Sequence, residues 1–170
     1  MPTPQQRQKK QPNVMNVSEP ADVSDAATIA QLVHAYTDLV AEGDLDGIAD
    51  LFVHGAVSGD AHPEPAVGRA AVFELYRATL ASTADGPRRL RVATTDLDID
   101  IDQAAGTATC VSRFTVRPSD TNDADTVLFI GRYLDAFARF DDMWAFTRRH
   151  VALDVTNHEA VNREGVHLGD

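Results

Sequence analysis

Cysteine is almost absent from this sequence, because Cys110 is the single one among 170 residues. No internal disulfide is therefore possible, and nothing indicates an oxidising compartment. Cys110 falls in a stretch typical of a β-strand, where a small buried hydrophobic side chain is the expected role rather than a nucleophile. The chain also lacks an apolar run of transmembrane length, and the residues before Pro20 contain no signal-peptide core. We expect a cytoplasmic protein that does not associate with membranes.

Basic residues are scarce relative to acidic ones. The chain has 15 lysines and arginines against 26 aspartates and glutamates, and its formal net charge is −11. Arg7, Lys9 and Lys10 lie near the N-terminus, so the rest of the chain is more acidic still. An acidic body repels phosphate backbones and anionic lipid surfaces, which argues against nucleic acid as a partner. The charge favours a small neutral or cationic molecule, or another protein.

Several motifs that carry known chemistry are missing. The chain contains no phosphate-binding loop, no nucleophile elbow and no nucleotide fingerprint. The alternating aspartates from Asp96 to Asp102 lack the glycine and the bidentate glutamate of a calcium loop, and they indicate a solvated strand face. His54 and His62 flank Asp60 in the sequence, but their spacing matches no metal motif. Both histidines are interpreted as loop residues, and no metal is expected.

Apolar residues recur at helical spacing in three stretches of the first half of the chain. The first predicted helix begins after Ser24 or Asp25 as the N-cap and ends at Gly43. The second begins after Asp44, a second N-cap candidate. The third follows a loop over residues 55–68, which has room for one short strand at most.

From about residue 90 the apolar period changes to two, which is typical of strands with one solvated face. A change of parity predicts a bulge near Thr94–Thr95. Three further strands are predicted over 107–117, 126–140 and 144–155, with turns at Ala105–Gly106 and Asp141–Asp142. Helices followed by an antiparallel meander predict an α+β fold, in which three N-terminal helices pack in a strongly curved antiparallel sheet as a cone-shaped roll.

The domain boundaries follow from composition. Residues 23–156 are long enough for one core and are predicted to form a single domain. Residues 1–22 offer too little apolar surface to offset the entropy of ordering and are predicted to be a disordered tail. Residues 157–170 are predicted to be a loose C-terminal tail.

Two groups of motifs resemble known families. The run Gly43–Ile48 followed by Leu51–Phe52, then Glu64–Pro65 and the third helix, resembles the bacterial ketosteroid isomerases. The stretch Gly131–Asp135, with Trp144 and Arg149–Val151 after it, resembles the SnoaL-like polyketide cyclases and dehydratases. Both families belong to the nuclear transport factor 2-like superfamily. The resemblance implies an apolar pocket for a small hydrophobic molecule, a homodimer and no cofactor.

The resemblance to ketosteroid isomerases also implies a catalytic set. The register of the Gly43–Ile48 run places the general base on Asp60 and an oxyanion-donating tyrosine on Tyr36, and a second, protonated donor falls on Asp135. A base and hydrogen-bond donors aimed at a carbonyl oxygen suit removal of the neighbouring proton. Arg139 shares a predicted strand face with Asp135 and could keep it ionised, and an ionised aspartate cannot donate.

The predicted pocket is lined by apolar and aromatic side chains, which are typical of small-molecule sites. The candidates for substrate binding are Val33, Phe52, Phe73, Tyr76, Phe114, Phe137 and Trp144. The similarity to SnoaL-like dehydratases implies an Asp–His pair, but the corresponding positions are Ala41 and Arg91. Arg132, Arg148 and Arg149 recur in the SnoaL-like pattern and are interpreted as structural ion-pairing residues.

Two functions stay open at this point. One is a cofactor-independent isomerase or cyclase that transfers a proton next to a carbonyl of a steroid- or polyketide-like substrate. The other is a non-catalytic protein that binds a small hydrophobic ligand or serves as a dimeric interaction module. The observation that separates them is whether Asp60 faces the cavity close to Tyr36.

Overall fold

A computed structural model describes residues 21–80, 90–119 and 126–164, and the α+β class predicted from the sequence is confirmed. The helices and strands are α1 (Ala21–Glu42), α2 (Leu45–Asp50), β1 (Ala56–Gly59), β2 (Ala66–Val67), α3 (Gly68–Thr79), β3 (Leu90–Asp102), β4 (Thr107–Pro118), β5 (Phe129–Phe140), β6 (Met143–Thr156) and α4 (His158–Glu164). Within these three ranges, no helix is long and apolar enough to cross a membrane.

Six strands form one sheet in the order β2-β1-β6-β5-β4-β3. The long strands β3 to β6 pair antiparallel, as the meander predicts. The predicted all-antiparallel sheet needs one correction, because β1 runs parallel to β6. Helix α1 contacts both the edge strand β3 and the inner strand β6, since the sheet curves around the helix.

Bulges bend the long strands. The register between β3 and β4 shifts between Thr95 and Asp98, where Asp96 has a φ of 55°, so the bulge predicted near Thr94–Thr95 is present. The pairing of β5 with β6 shifts twice more, once beside Gly131 and once beside Phe137. Each bulge adds local twist, which lets a sheet curl without losing its other hydrogen bonds.

The helix boundaries follow partly from local chemistry. Gly43 has a φ of 73° and ends α1, a conformation that glycine adopts without steric cost. Asp44 caps α2, because its carboxylate accepts a hydrogen bond from the Gly47 amide at 2.9 Å. The prediction for the start of α1 is wrong, since the helix already includes Ala21 and Asp25 lies inside it.

Two other predictions of local structure are corrected by the fold. The 55–68 loop contains two short strands, β1 and β2, rather than one at most. Residues 158–164, assigned to a loose tail, form α4, whose Ala160 and Val161 are buried. The tail predicted at 1–22 lies outside the described residues apart from its last two, which are helical.

A network around Asp25 joins the start of α1 to the sheet. The Asp25 carboxylate accepts hydrogen bonds from Gln103 Nε2 at 2.8 Å and from Trp144 Nε1 at 3.0 Å. The Arg139 guanidinium also donates to it and lies 4.9 Å from the centre of the Trp144 ring. Of the two arrangements that the sequence left open for Arg139, the pairing with Asp135 does not form, because Arg139 pairs with the first helix instead.

We expect Asp25→Asn to lower the melting temperature at pH 7 and to lose this effect in acid. Hydrogen bonds from Gln103 and Trp144, together with the charge of Arg139, lower the pKa of Asp25. A carboxylate with a lowered folded-state pKa stabilises the protein above its unfolded pKa of about 3.9, and this contribution is lost as the pH falls through the folded-state pKa.

Thermal melts of wild type and Asp25→Asn from neutral pH to pH about 2 test this expectation, because the two curves should converge below the ordinary aspartate pKa of about 3.9. Asp38→Asn is the matched control, since Asp38 is an exposed residue of the same helix. If the melting temperatures of wild type and Asp25→Asn differ by the same amount at every pH, then the ionised Asp25 carboxylate is not what stabilises the start of α1.

Candidate functional site

A cavity of about 140 Å³ lies between α1, α3, the β1–β2 turn and the inner face of the sheet. Aliphatic and aromatic side chains form most of its wall. The residues that line it are Tyr36, Val40, Val57, Ser58, Gly59, Ala61, His62, Leu75, Tyr76, Thr79, Leu80, Leu90, Phe114, Val116, Phe129, Tyr133, Val151 and Leu153. Of the described wall residues, none is a carboxylate, a lysine or an arginine.

Three tyrosines, one each from α1, α3 and β5, meet at this wall. The hydroxyls of Tyr36 and Tyr76 share a hydrogen bond of 2.5 Å. The ring of Tyr133 lies edge-on to Tyr36, 5.5 Å between centres, and stacks on Phe114 at 4.3 Å. Burial raises the pKa of Tyr76 and of Tyr133 well above the ordinary value. Both hydroxyls are therefore protonated at neutral pH and can donate hydrogen bonds.

A buried ion pair supports this tyrosine cluster from behind. Arg149 on β6 donates from Nε to Asp135 Oδ1 at 2.7 Å and from Nη2 to Asp135 Oδ2 at 2.5 Å, and neither side chain is exposed. The guanidinium also stacks on the rings of Tyr36 at 3.8 Å and Tyr133 at 4.2 Å. Although burial alone would lower the pKa of Arg149, the neighbouring Asp135 carboxylate raises it.

The structure places Asp135, the predicted protonated donor, in an ion pair with Arg149. Its carboxylate accepts two hydrogen bonds from a guanidinium, and such a pair favours the ionised form of both groups. An ionised carboxylate only accepts hydrogen bonds. Asp135 is also absent from the cavity wall. By contrast, Arg149 and Arg132 form the ion pairs expected of them, and Arg132 binds Asp154 at 3.0 Å.

Asp60 lies outside the cavity, which conflicts with the position that a base near Tyr36 requires. Its carboxylate is exposed, accepts a hydrogen bond from the Leu153 amide at 2.8 Å and lies 3.4 Å from His150 Nε2. The other ring nitrogen of His150 shares a 3.0 Å hydrogen bond with the Ser58 hydroxyl. Asp60 follows the last residue of β1, and its carboxylate is directed to the backbone of β6.

The residues predicted to bind substrate divide into two groups. Tyr76 and Phe114 line the cavity. Val33, Phe52, Phe137 and Trp144 are buried but absent from the wall, and Phe73 is half-buried on α3 without reaching it. Phe52 and Phe137 instead pack on Phe146 in the main core, with ring centres 4.9 Å and 4.6 Å away. A helical or strand pattern identifies buried positions, but it does not separate core from cavity.

His62 belongs to the cavity wall, although its place in the sequence indicates an ordinary loop histidine. It ends a tight turn in which its amide donates to the Gly59 carbonyl at 3.0 Å and its carbonyl accepts from the Gly59 amide at 2.8 Å. The one signal in the sequence is the position of this histidine three residues after Gly59 in the loop predicted over residues 55–68. In the ranges that the structure covers, no group of three or more histidine, cysteine or acidic residues could hold a metal.

A curved sheet that encloses helices and an apolar cavity defines the class of this protein as a nuclear transport factor 2-like, or cystatin-like, α+β domain. The sequence profile of the SnoaL-like domain matches residues 21–150. The chain therefore belongs to the SnoaL-like domain family, as its motifs predict. No curated protein matches the sequence.

Solved structures with the same fold include proteins of varied description. The chain is similar to Rv3472 of Mycobacterium tuberculosis, a protein of unknown function, with 25% identity, coverage of 84% of this chain and 80% of that chain, and a TM-score of 0.67. A scytalone dehydratase-like protein of Novosphingobium aromaticivorans shares 19% identity over 80% of this chain and 88% of that chain, with a TM-score of 0.62. LinA shares 11% identity over 79% and 88% of the two chains, with a TM-score of 0.63. The last two likenesses show the fold alone.

Proposed function

We propose that this protein binds a small, uncharged and mostly apolar ring compound, whose oxygen accepts a hydrogen bond from the tyrosine cluster. The observation that carries the proposal is the cavity itself, an apolar wall that holds three tyrosine hydroxyls and no charged side chain among its described residues. Pockets with this composition are typical of small hydrophobic ligands. At about 140 Å³ the cavity is close to the size of an engineered cavity of about 150 Å³ that binds benzene.

The hydrogen-bond capacity of Tyr36 and Tyr76 supports an oxygen-bearing ligand. The three tyrosine hydroxyls carry three hydrogens, and the bonds of Tyr36 with Tyr76 and with Tyr133 use two of them. The third hydrogen can donate into the cavity, where a carbonyl or hydroxyl oxygen would accept it. A charged ligand would find no opposite charge on the described wall, and burying an unpaired charge is strongly unfavourable.

A second candidate function is the isomerase or cyclase chemistry that the motifs imply. Neutral hydroxyl donors in a dry cavity stabilise the negative charge that develops on a carbonyl oxygen when the neighbouring proton leaves. Tyr36 and Tyr76 supply such donors, which favours this candidate. The position of Asp60 does not, because its carboxylate is held by Leu153 outside the cavity. A ligand-binding function therefore comes first.

Matched ligands test the binding proposal. Cyclohexanone should bind wild type more tightly than methylenecyclohexane, in which a CH₂ group replaces the oxygen. The double variant Tyr36→Phe/Tyr76→Phe keeps both rings and removes both hydroxyls. We expect its affinity for cyclohexanone to fall by roughly fivefold to tenfold, because one hydrogen bond contributes about 1 kcal/mol. The affinity for the hydrocarbon should be unchanged.

Calorimetric titration and the ligand-induced rise in melting temperature both measure these affinities. Tyr133→Phe is the comparison variant, because it removes the third hydroxyl of the wall and its hydrogen bond with Tyr36 but keeps the Tyr36–Tyr76 bond. Equal loss of affinity for both ligands in the double variant would point to altered packing rather than a lost hydrogen bond. Binding of neither ligand by wild type would contradict the proposed function.

A further inference from the structure

A second cluster of polar side chains lies on the face of the sheet that is turned away from the cavity. The Ser58 hydroxyl lies 3.0 Å from Nδ1 of His150, and Nε2 of His150 lies 3.4 Å from Oδ1 of Asp60. We infer that these three residues form a hydrolytic site, in which the serine attacks the carbonyl carbon of a small carboxylic ester. A hydroxyl, an imidazole and a carboxylate in this order activate a serine as a nucleophile. The site is independent of the proposed function, because the tyrosine cluster takes no part in it.

The pairing of β1 with β6 brings the serine and the histidine to one face. Ser58 and His150 are partners in the parallel register of these strands. Arg149, the residue before His150, is buried and stacks on Tyr36 inside the sheet, so the alternation of side chains directs His150 outward. The His150 side chain is 33% exposed and is absent from the cavity wall. The Ser58 hydroxyl bonds to this outward imidazole, although the residue borders the cavity, and an ester can therefore approach it from solvent.

Asp60 selects the tautomer of the imidazole. Its second oxygen, Oδ2, accepts a hydrogen bond from the Leu153 amide at 2.8 Å, which holds the carboxylate beside the ring. A carboxylate only accepts hydrogen bonds, so Nε2 of the neutral ring carries the hydrogen and Nδ1 carries the lone pair. The lone pair then faces the Ser58 hydroxyl and can take its proton. The ring is turned over relative to the serine proteases, but one nitrogen still donates to the carboxylate while the other accepts from the serine.

Arg148 supplies positive charge on the same face. It lies two residues before His150 and pairs in register with Ala56, which lies two residues before Ser58. Its side chain is exposed, and no described residue forms an ion pair with it. Attack on an ester leaves negative charge on the carbonyl oxygen, and a nearby guanidinium stabilises that charge as it develops. Arg148 is therefore the residue that would hold the oxyanion.

The reaction consumes one ester and one water molecule. The Ser58 oxygen forms a bond to the carbonyl carbon while its proton passes to Nδ1 of His150. The bond from that carbon to the leaving oxygen then breaks, the leaving oxygen takes the proton from the imidazolium, and an acyl-serine remains. Water attacks the acyl group next and loses a proton to His150. The bond to the Ser58 oxygen breaks as that oxygen regains the proton, which releases the carboxylic acid and restores the free serine.

Hydrolysis of 4-nitrophenyl acetate, followed by the absorbance of the released nitrophenolate, tests the site. We expect His150→Gln to slow the reaction by roughly 10²–10⁴-fold, the usual effect of removing a positioned general base. Ser58→Ala should slow it at least as much, because the nucleophile is lost. Peptide mass spectrometry of wild type should locate the acetyl group on Ser58. Ser24→Ala and His54→Gln are the matched controls and should react normally, because both residues are exposed and lie outside the cluster.

Two further substitutions test the supporting groups. Asp60→Asn should slow hydrolysis, because an amide can donate to the ring and stabilise the wrong tautomer. Arg148→Gln should slow it by less than the roughly 10²–10³-fold effect of removing a preorganised oxyanion donor, because water screens an exposed guanidinium. Arg113→Gln is the control for the lost charge, since Arg113 is 72% exposed on β4.

Three outcomes would overturn the assignment of a hydrolytic site. Hydrolysis by Ser58→Ala at the wild-type rate would show that the serine is not the nucleophile. If wild type reacts no faster than an equal concentration of free imidazole, then the three side chains form only a structural cluster. An acetyl group found on other residues and absent from Ser58 would have the same meaning. The circular dichroism spectrum of each variant shows whether it is folded. Absence of cyclohexanone binding would refute the proposed function alone, because the hydrolysis assay does not depend on the cavity.

Discussion

Arg149→Met is expected to lower the free energy of unfolding by about 3–5 kcal/mol, because it leaves the buried Asp135 carboxylate without its partner. Neither side chain of this pair is exposed to solvent. The substitution also removes the guanidinium that stacks on Tyr36 and Tyr133. Urea denaturation followed by circular dichroism measures the change in the free energy of unfolding. The packing of the tyrosine rings should also weaken, because the guanidinium no longer lies against them.

A double substitution separates the lost charge from the lost packing. Arg149→Met/Asp135→Leu removes both charges, and replacement of a buried ion pair by apolar side chains is often neutral or stabilising. We expect the double variant to recover most of the loss. Arg132→Met is the matched surface control and should change stability little, because the Arg132–Asp154 pair is about half exposed. If Arg149→Met and Arg132→Met lower the free energy of unfolding by the same amount, then burial of the Arg149–Asp135 pair does not account for the loss.

Gly131→Ala is expected to destabilise the protein at or above the upper end of the usual range of about 1–3 kcal/mol for overpacking. A Cβ atom at this position would overlap the Ala152 carbonyl oxygen of the neighbouring strand and lie 2.7 Å from Cζ of Phe114. A backbone atom in a paired strand cannot move aside without breaking the pairing of β5 with β6. Phe114 lines the cavity, so cyclohexanone binding should weaken as well.

Gly68→Ala is the control for the Gly131 substitution. A Cβ at Gly68 would meet no atom within 4 Å, but the φ of 77° imposes backbone strain of about 1–2 kcal/mol on an L-residue. Chemical denaturation should therefore rank the Gly131 variant as the less stable, and only that variant should lose affinity for the ketone. A Gly131 variant as stable as wild type would show that β5 and β6 can separate at the bulge.

Features governed by residues close together in the chain could be predicted from the sequence. Gly43 ends the first helix and Asp44 caps the second, because a glycine's free φ and an aspartate's side-chain oxygen act within a few residues. The turn at Asp141–Asp142 joins β5 to β6 with φ values of 49° and 64°. The bulge near Thr95 was detectable because the alternation of apolar residues changes parity there.

Pairings between residues far apart in the chain could not be chosen from the sequence. Arg139 shares a strand with Asp135, yet it pairs with Asp25, which is 114 positions away in sequence. Asp135 pairs instead with Arg149, because the register of β5 with β6 places these two residues side by side. Sequence alternation identifies residues on one face, but the strand register selects which of several arginines meets the carboxylate.

The sequence by itself determined the order of the first three helices and the four long strands, the family and the apolar character of the interior, because periodicity, capping and motif spacing are local properties. Only the tertiary structure decided which groups face the cavity. The turn after β1 directs Asp60 to Leu153 and brings His62 to the wall, although only Ala61 separates them in the chain. The physical reason is that the side a residue faces depends on how β1 pairs with β6 and where the strand ends, and neither is encoded within a short stretch of sequence.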